Sequence, residues 1–162
     1  MLDQLNIDNN LLMDTSVLLK KNNLTLSMAE SCTGGFLSSC LTSLSGSSVF
    51  FKGSIISYSN EAKYIFLDID KKFIEKHNVV SKEIVEKMAI GARKKFNTNY
   101  AIATTGYVDP TNLMEPNLLC AWIAVSSHKK VLSKLIMLNG NRTQNISKVS
   151  FDLLNLLRKE IV

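Results

Sequence analysis

Cysteine is scarce and shows no pairing pattern: Cys32, Cys40 and Cys120 are an odd number, widely separated, with no CxxC step. That argues against a disulfide framework and against structural zinc. Histidine is scarcer still. Only His77 and His128 are present, neither in a metal-ligand spacing such as HExxH, and His77 lies in the charged run EKHN, which reads as surface. No apolar run approaches the roughly 18 to 20 residues that span a bilayer, and the amino-terminal MLDQLNIDNN carries acids where an export leader carries bases. The expectation is a cytoplasmic protein with no membrane partner. Internal repeats, heptads and low-complexity linkers are missing, as are the GK[ST] of a Walker loop, a GxSxG elbow and a GxGxxG turn.

What remains is 162 residues, 46% hydrophobic and 20% charged, enough for one compact domain, residues 1–162, with a real core. The net charge of +5 comes from 19 Lys and Arg against 14 Asp and Glu, and raises the question of a nucleic-acid partner. The distribution argues against one. Lys20-Lys21, Lys71-Lys72, Arg93-Lys94-Lys95 and Lys129-Lys130 are short clusters near expected element ends, as solvated surface charge would be.

The hydrophobic pattern alternates between two periods. Leu11, Leu12, Thr15, Leu18 and Leu19 mark a first helix ending near Asn22, and Leu24 to Ala29 alternates as a strand. Phe36, Leu37, Cys40, Leu41 and Leu44 resume helical spacing up to Ser45-Gly46, and a β-rich run follows to Tyr58. Ser81 caps a helix with Ile84, Val85, Met88, Ala89, Ala92 and Phe96 on one face, and Tyr100 to Thr105 reads as a short buried strand. Leu118 to Val125 and Val131 to Leu138 form a hairpin, and Ile146 to Ile161 a closing helix. Helix crossovers suit parallel strands and the short late connection demands an antiparallel pair. The expected fold is α/β: three layers, α/β/α, around a mixed, mostly parallel sheet of about five strands.

One strand-to-helix junction is crowded with reactive side chains: AESCTGG, residues 29 to 35. Such junctions at the carboxyl ends of strands favour ligands, because free N–H groups at the helix start attract anions. Gly34 and Gly35 permit close backbone approach, and Ser31 and Thr33 can cap the helix or touch a ligand. A serine nucleophile needs a base, and with histidine so scarce a buried lysine is the candidate, since burial favours the neutral amine. Lys63, in YSNEAK just past a strand end, is best placed; Tyr58 could pass or orient the proton and Asn60 could hold a ligand carbonyl or hydroxyl. Cys32 is the rival nucleophile, with no histidine to activate it.

The strings AESCTGG, GSSVFFKGSIISYSNEAK (46–63) and VVSKEIVEKMAIGAR (79–93) resemble the CinA carboxy-terminal domain family, of the competence and damage-inducible proteins, whose stand-alone members include nicotinamide mononucleotide amidohydrolase. The resemblance covers nearly the whole chain and includes Gly140-Asn141-Arg142, where the family has Gly-Asp-Arg. It implies deamidation of nicotinamide mononucleotide to nicotinate mononucleotide and ammonia, without metal or cofactor, by a homodimer acting on a small nucleotide. It also implies Ser31 as nucleophile, Lys63 as its base and Tyr58 as an assisting hydroxyl. Thr33, Gly34, Gly35, Ser48, Asn60, Thr105, Gly106 and Arg142 are the matched positions around the nucleotide, Arg142 as a phosphate fork.

The resemblance breaks after the third expected strand. The family reads SGIAGPxGG and then KPVGTV, whereas this chain reads TTGYVDPTNLMEPNLLCAW. Gly106 and Pro110 persist, Asn112-Leu113 replaces paired glycines, and Glu115 stands near the usual lysine. Bulk and negative charge there would narrow the pocket and disfavour a phosphate. Two readings result: an amidohydrolase, or a catalytically silent nucleotide- or partner-binding module. A basic nucleic-acid-associated protein is a weaker third.

Overall fold

A computed structural model describes residues 5–112 and 118–162. Leu113 and Glu115, in the divergent loop, lie outside the described residues. The elements run α1 (Asn9–Lys21), β1 (Leu26–Glu30), α2 (Phe36–Thr42), β2 (Phe51–Ile56), α3 (Asn60–Leu67), α4 (Lys71–Lys76), α5 (Lys82–Phe96), β3 (Tyr100–Tyr107), β4 (Cys120–Ser127), β5 (Val131–Met137) and α6 (Arg142–Ile161). No helix among the described residues is long and apolar enough to cross a membrane.

The five strands form one mixed sheet in the order β2-β1-β3-β4-β5. β1 pairs in parallel with β2 and β3, and β4 is antiparallel to both β3 and β5. Four strands therefore point the same way and β4 alone runs back, as the short turn after it requires. Alternate side chains go to opposite faces. Leu26, Met28, Ile102, Ile123 and Val125 face a core built with α1, α2 and α6, while Ala29, Ala101, Ala103 and Ala124 face one built with α3, α4 and α5. The second face is paved with alanine because α5 lies close on it. Expectation and structure agree on the three layers; the sequence reading leaves the segment of α3 as a loop or helix start and lacks α4 altogether. It is a six-residue helix whose cap, Asp70, accepts from Phe73 N–H at 3.0 Å, too short for a hydrophobic period to show.

Two local features set the position of the site. Gly91 of α5 packs against the last turn of α3 so tightly that a Cβ there would come within 2.5 Å of the Leu67 carbonyl oxygen. Leu67 and Lys63, one turn apart, share the buried face of α3, so this contact also fixes the height of Lys63. The second feature is register. Glu30 lies beside Ile56 on one side and Thr104 on the other, which places Ser31, Ser57 and Thr105 level with one another just past the sheet's parallel edge.

Candidate functional site

Glu30, the last residue of β1, is fully buried and does the work expected of a serine or threonine cap. Its carboxylate accepts the N–H groups of Gly35, Leu37 and Ser38 at 3.2, 3.3 and 2.9 Å, and the Ser38 hydroxyl as well. A carboxylate is suited to the positive end of a helix, and here it satisfies donors that α2 leaves unpaired. Gly34 and Gly35 turn the chain through left-handed conformations, with φ of 59° and 93°, so that the helix start can fold back over Glu30. Thr33 is buried with its hydroxyl 2.9 Å from that of Thr104. Neither Ser31 nor Thr33 caps α2.

Ser31 is thereby left free for other chemistry. Its N–H is held by the carbonyl and hydroxyl of Thr104, at 3.1 and 3.3 Å, and its Oγ lies 3.2 Å from Lys63 Nζ. Lys63 is 1% exposed. Its Nζ donates to the Ser57 carbonyl at 2.7 Å and reaches the Ser59 carbonyl at 3.5 Å. No carboxylate contacts it among the described residues, and burial pulls its pKa down to about 8. A neutral amine carries two hydrogens and one lone pair. With the hydrogens on the two carbonyls, the lone pair is left for the Ser31 hydroxyl. Cys32 is buried beside them, and burial pushes its thiol up to about 12, so it is protonated and a poor nucleophile while Lys63 titrates. The N–H groups of Cys32 and Thr33 lie in the turn directly after Ser31.

These groups open into a cleft of about 360 Å³ whose lining includes Ser31, Cys32, Tyr58, Asn60, Lys63, Thr105, Gly106, Asp109 and Arg142. Arg142 is the first residue of α6, whose cap Asn141 forms a reciprocal pair of hydrogen bonds with Gln144. Asparagine serves this cap as aspartate would. The guanidinium donates to the Tyr58 hydroxyl at 3.0 Å and pairs with Asp109 at 3.5 Å. Tyr58 is 61% exposed and meets Arg142 instead of touching Ser31 or Lys63. Thr105 donates its hydroxyl to the Val79 carbonyl at 2.9 Å, tying the approach to α5 to the cleft wall. Gly106 lines the cleft but owes its size to the sheet, since a Cβ there would come within 2.6 Å of Ala121 on β4.

Four expected ligand positions fall elsewhere. Thr33, Gly34 and Gly35 lie beneath Ser31, in the turn that Glu30 organises, and do not line the cleft. Ser48 is exposed in a 3₁₀ turn, Ser47–Val49, that leads into β2. Because β2 is parallel to β1, that turn lies at the far end of the sheet, so one chain does not bring Ser48 to this cleft. Sequence reasoning missed Glu30 as the cap, Thr104 as the anchor of Ser31, and Asp109. An acid ending an apolar strand just before a glycine pair is a signal for the first; the other two depend on register and loop path.

Fold and site together define a class: a three-layer α/β domain that presents a serine at a strand end in hydrogen-bond contact with a buried lysine. A model of the CinA C-terminal domain matches residues 8–161, and the chain belongs to this family. A CinA-like protein of Flavobacterium psychrophilum is 44% identical over 147 residues, covering 90% of this chain and 35% of that protein. One from Cytophaga hutchinsonii is 37% identical over 145 residues, covering 89% and 35%. The chain thus spans about a third of the length of these relatives. Among solved structures, a competence-damaged protein (CinA) superfamily protein from Escherichia coli superposes with a TM-score of 0.88 at 25% identity, over 93% of this chain and 88% of that one. Competence damage-inducible protein A from Klebsiella pneumoniae gives 0.90 at 24% identity, over 96% and 98%, a likeness of fold.

Proposed function

We propose that the chain hydrolyses a small carboxamide through Ser31 and Lys63, with nicotinamide mononucleotide as the substrate that the family resemblance implies. The observation that carries this reading is the 3.2 Å contact between Ser31 Oγ and the Nζ of a lysine buried without a counter-ion among the described residues. Neutral Lys63 takes the Ser31 proton as Oγ attacks the amide carbon. The resulting oxyanion is directed to the N–H of Cys32, which lines the cleft. Collapse breaks the C–N bond, and the proton on Lys63 goes to the leaving nitrogen, which departs as ammonia. Water then attacks the Ser31 ester and gives a proton to Lys63; the ester bond breaks, Ser31 recovers that proton from Lys63, and the acid leaves as a carboxylate, its remaining proton passing to solvent. Arg142, Tyr58 and Asn60 hold the part of the ligand distant from the reacting carbon.

Ammonia release from nicotinamide mononucleotide by the purified chain is the test. Turnover that disappears in both Ser31→Ala and Lys63→Ala supports the reading, and a native protein without turnover removes it.

A further inference from the structure

The distal end of the cleft carries a cation that is already compensated. Among the described lining residues the cations are Lys63 and Arg142, and the carboxylate is Asp109. One oxygen of Asp109 accepts the N–H and the hydroxyl of Thr111 at 3.0 and 2.7 Å. The other lies 3.5 Å from Arg142 Nη1. Thr111's two donors, with Arg142 adding to them, hold the carboxyl below its usual range, so the group is ionised at neutral pH. The second terminal nitrogen of Arg142 is occupied by Tyr58.

An arginine recognises a phosphate best with two parallel free donors. Here each terminal nitrogen already makes one contact, and a fixed negative charge stands beside them. A phosphomonoester can reach the donors that remain, but it shares the guanidinium with Asp109 and endures the carboxylate's repulsion. A hydroxyl group avoids that repulsion: it can donate to a lone pair of Asp109 that Thr111 leaves unused and accept from the guanidinium. The side chains of Arg142 and Asp109 are 43% and 26% exposed, so solvent weakens this discrimination without removing it.

We infer that Asp109 is a specificity-determining residue: it makes the cleft prefer an amide whose far end is uncharged and hydroxyl-bearing over the same amide bearing a phosphomonoester. The inference rests on the Ser31–Lys63 reading for which end of the ligand is the amide. Calorimetric titration of the native chain and of Asp109→Asn with nicotinamide riboside and with nicotinamide mononucleotide tests it. Asparagine keeps an oxygen for Thr111 and removes the charge. The native chain binds the riboside at least as tightly as the mononucleotide. In Asp109→Asn, the mononucleotide tightens by about fivefold to tenfold, as expected for one partly solvated charge, while the riboside stays within about twofold.

A native preference of about tenfold or more for the mononucleotide, a ratio that Asp109→Asn does not move, or failure of both ligands to bind overturns the inference. Ammonia is measured separately on the same samples. The expected binding ratio without ammonia removes the hydrolase reading and retains the selectivity; ammonia with an unmoved ratio does the reverse.

Discussion

Arg142 and Tyr58 meet at 3.0 Å across the mouth of the cleft, joining the first residue of α6 to the segment that follows β2. The phenol oxygen accepts from the guanidinium, so its own hydrogen remains available to a ligand. Tyr58→Phe removes both and leaves Lys63 untouched. The expected result is a KM about fivefold higher with kcat within about twofold, from loss of one charge-assisted hydrogen bond. A large fall in kcat at constant KM would put the phenol in the proton transfer.

The pH profile follows from Lys63. In the proposed reaction the neutral amine is the reactive form, so kcat/KM is expected to climb as pH rises through about 8. Between pH 7 and 9 the neutral fraction grows about tenfold, and the rate should grow with it before levelling. A profile flat across that range would exclude Lys63 as the base.

Stability depends on the same titration with a definite sign. Lys63 falls from 10.5 to about 8 on burial, so between these values the unfolded chain binds more protons and folding gains stability as pH rises. Below pH 8 both states are protonated and the burial penalty is fully present. Lys63→Met lacks this titration. Native stability should gain on the variant by about 3 kcal/mol between pH 8 and 10.5, an order-of-magnitude figure from the shift itself. Urea unfolding of both proteins across that range measures it, and a constant difference would contradict it.

Glu30→Ala strands the N–H groups of Gly35, Leu37 and Ser38 at the start of α2. The expected loss is about 3 kcal/mol, because one buried and two half-buried donors lose a charged acceptor at once. Activity should fall as well, since Ser31 follows Glu30 directly. An unchanged urea midpoint would show that water replaces the carboxylate at no cost.

The layers and strands were legible because hydrophobic period reports them: β5 and α5 lie within a residue of the expected bounds, and Ser81 caps α5 by accepting from Ile84 N–H at 3.3 Å. Ser31 and Lys63, 32 residues apart, were legible only as chemistry seeking a partner and through the family's motifs; their contact is a product of β1–β2 register and of the pitch of α3. Asp109 stayed hidden because pairing with Arg142 depends on how a loop returns to a helix start 33 residues later. Glu30 lies inside AESCTGG, yet the sequence reading offers the cap to Ser31 and Thr33, since short polar residues are the common helix caps and a strand-borne carboxylate reaching forward is not.

The tight seat of Gly91 against Leu67 means that alignment of the serine and lysine depends on a spacer with no atoms in the cleft. An extra methyl there would act as a shim, lifting one wall of the machine relative to the other. A chain so altered would keep its sheet and its ligand contacts yet lose its rate. A survey confined to cleft residues would pass over the position on which that alignment depends.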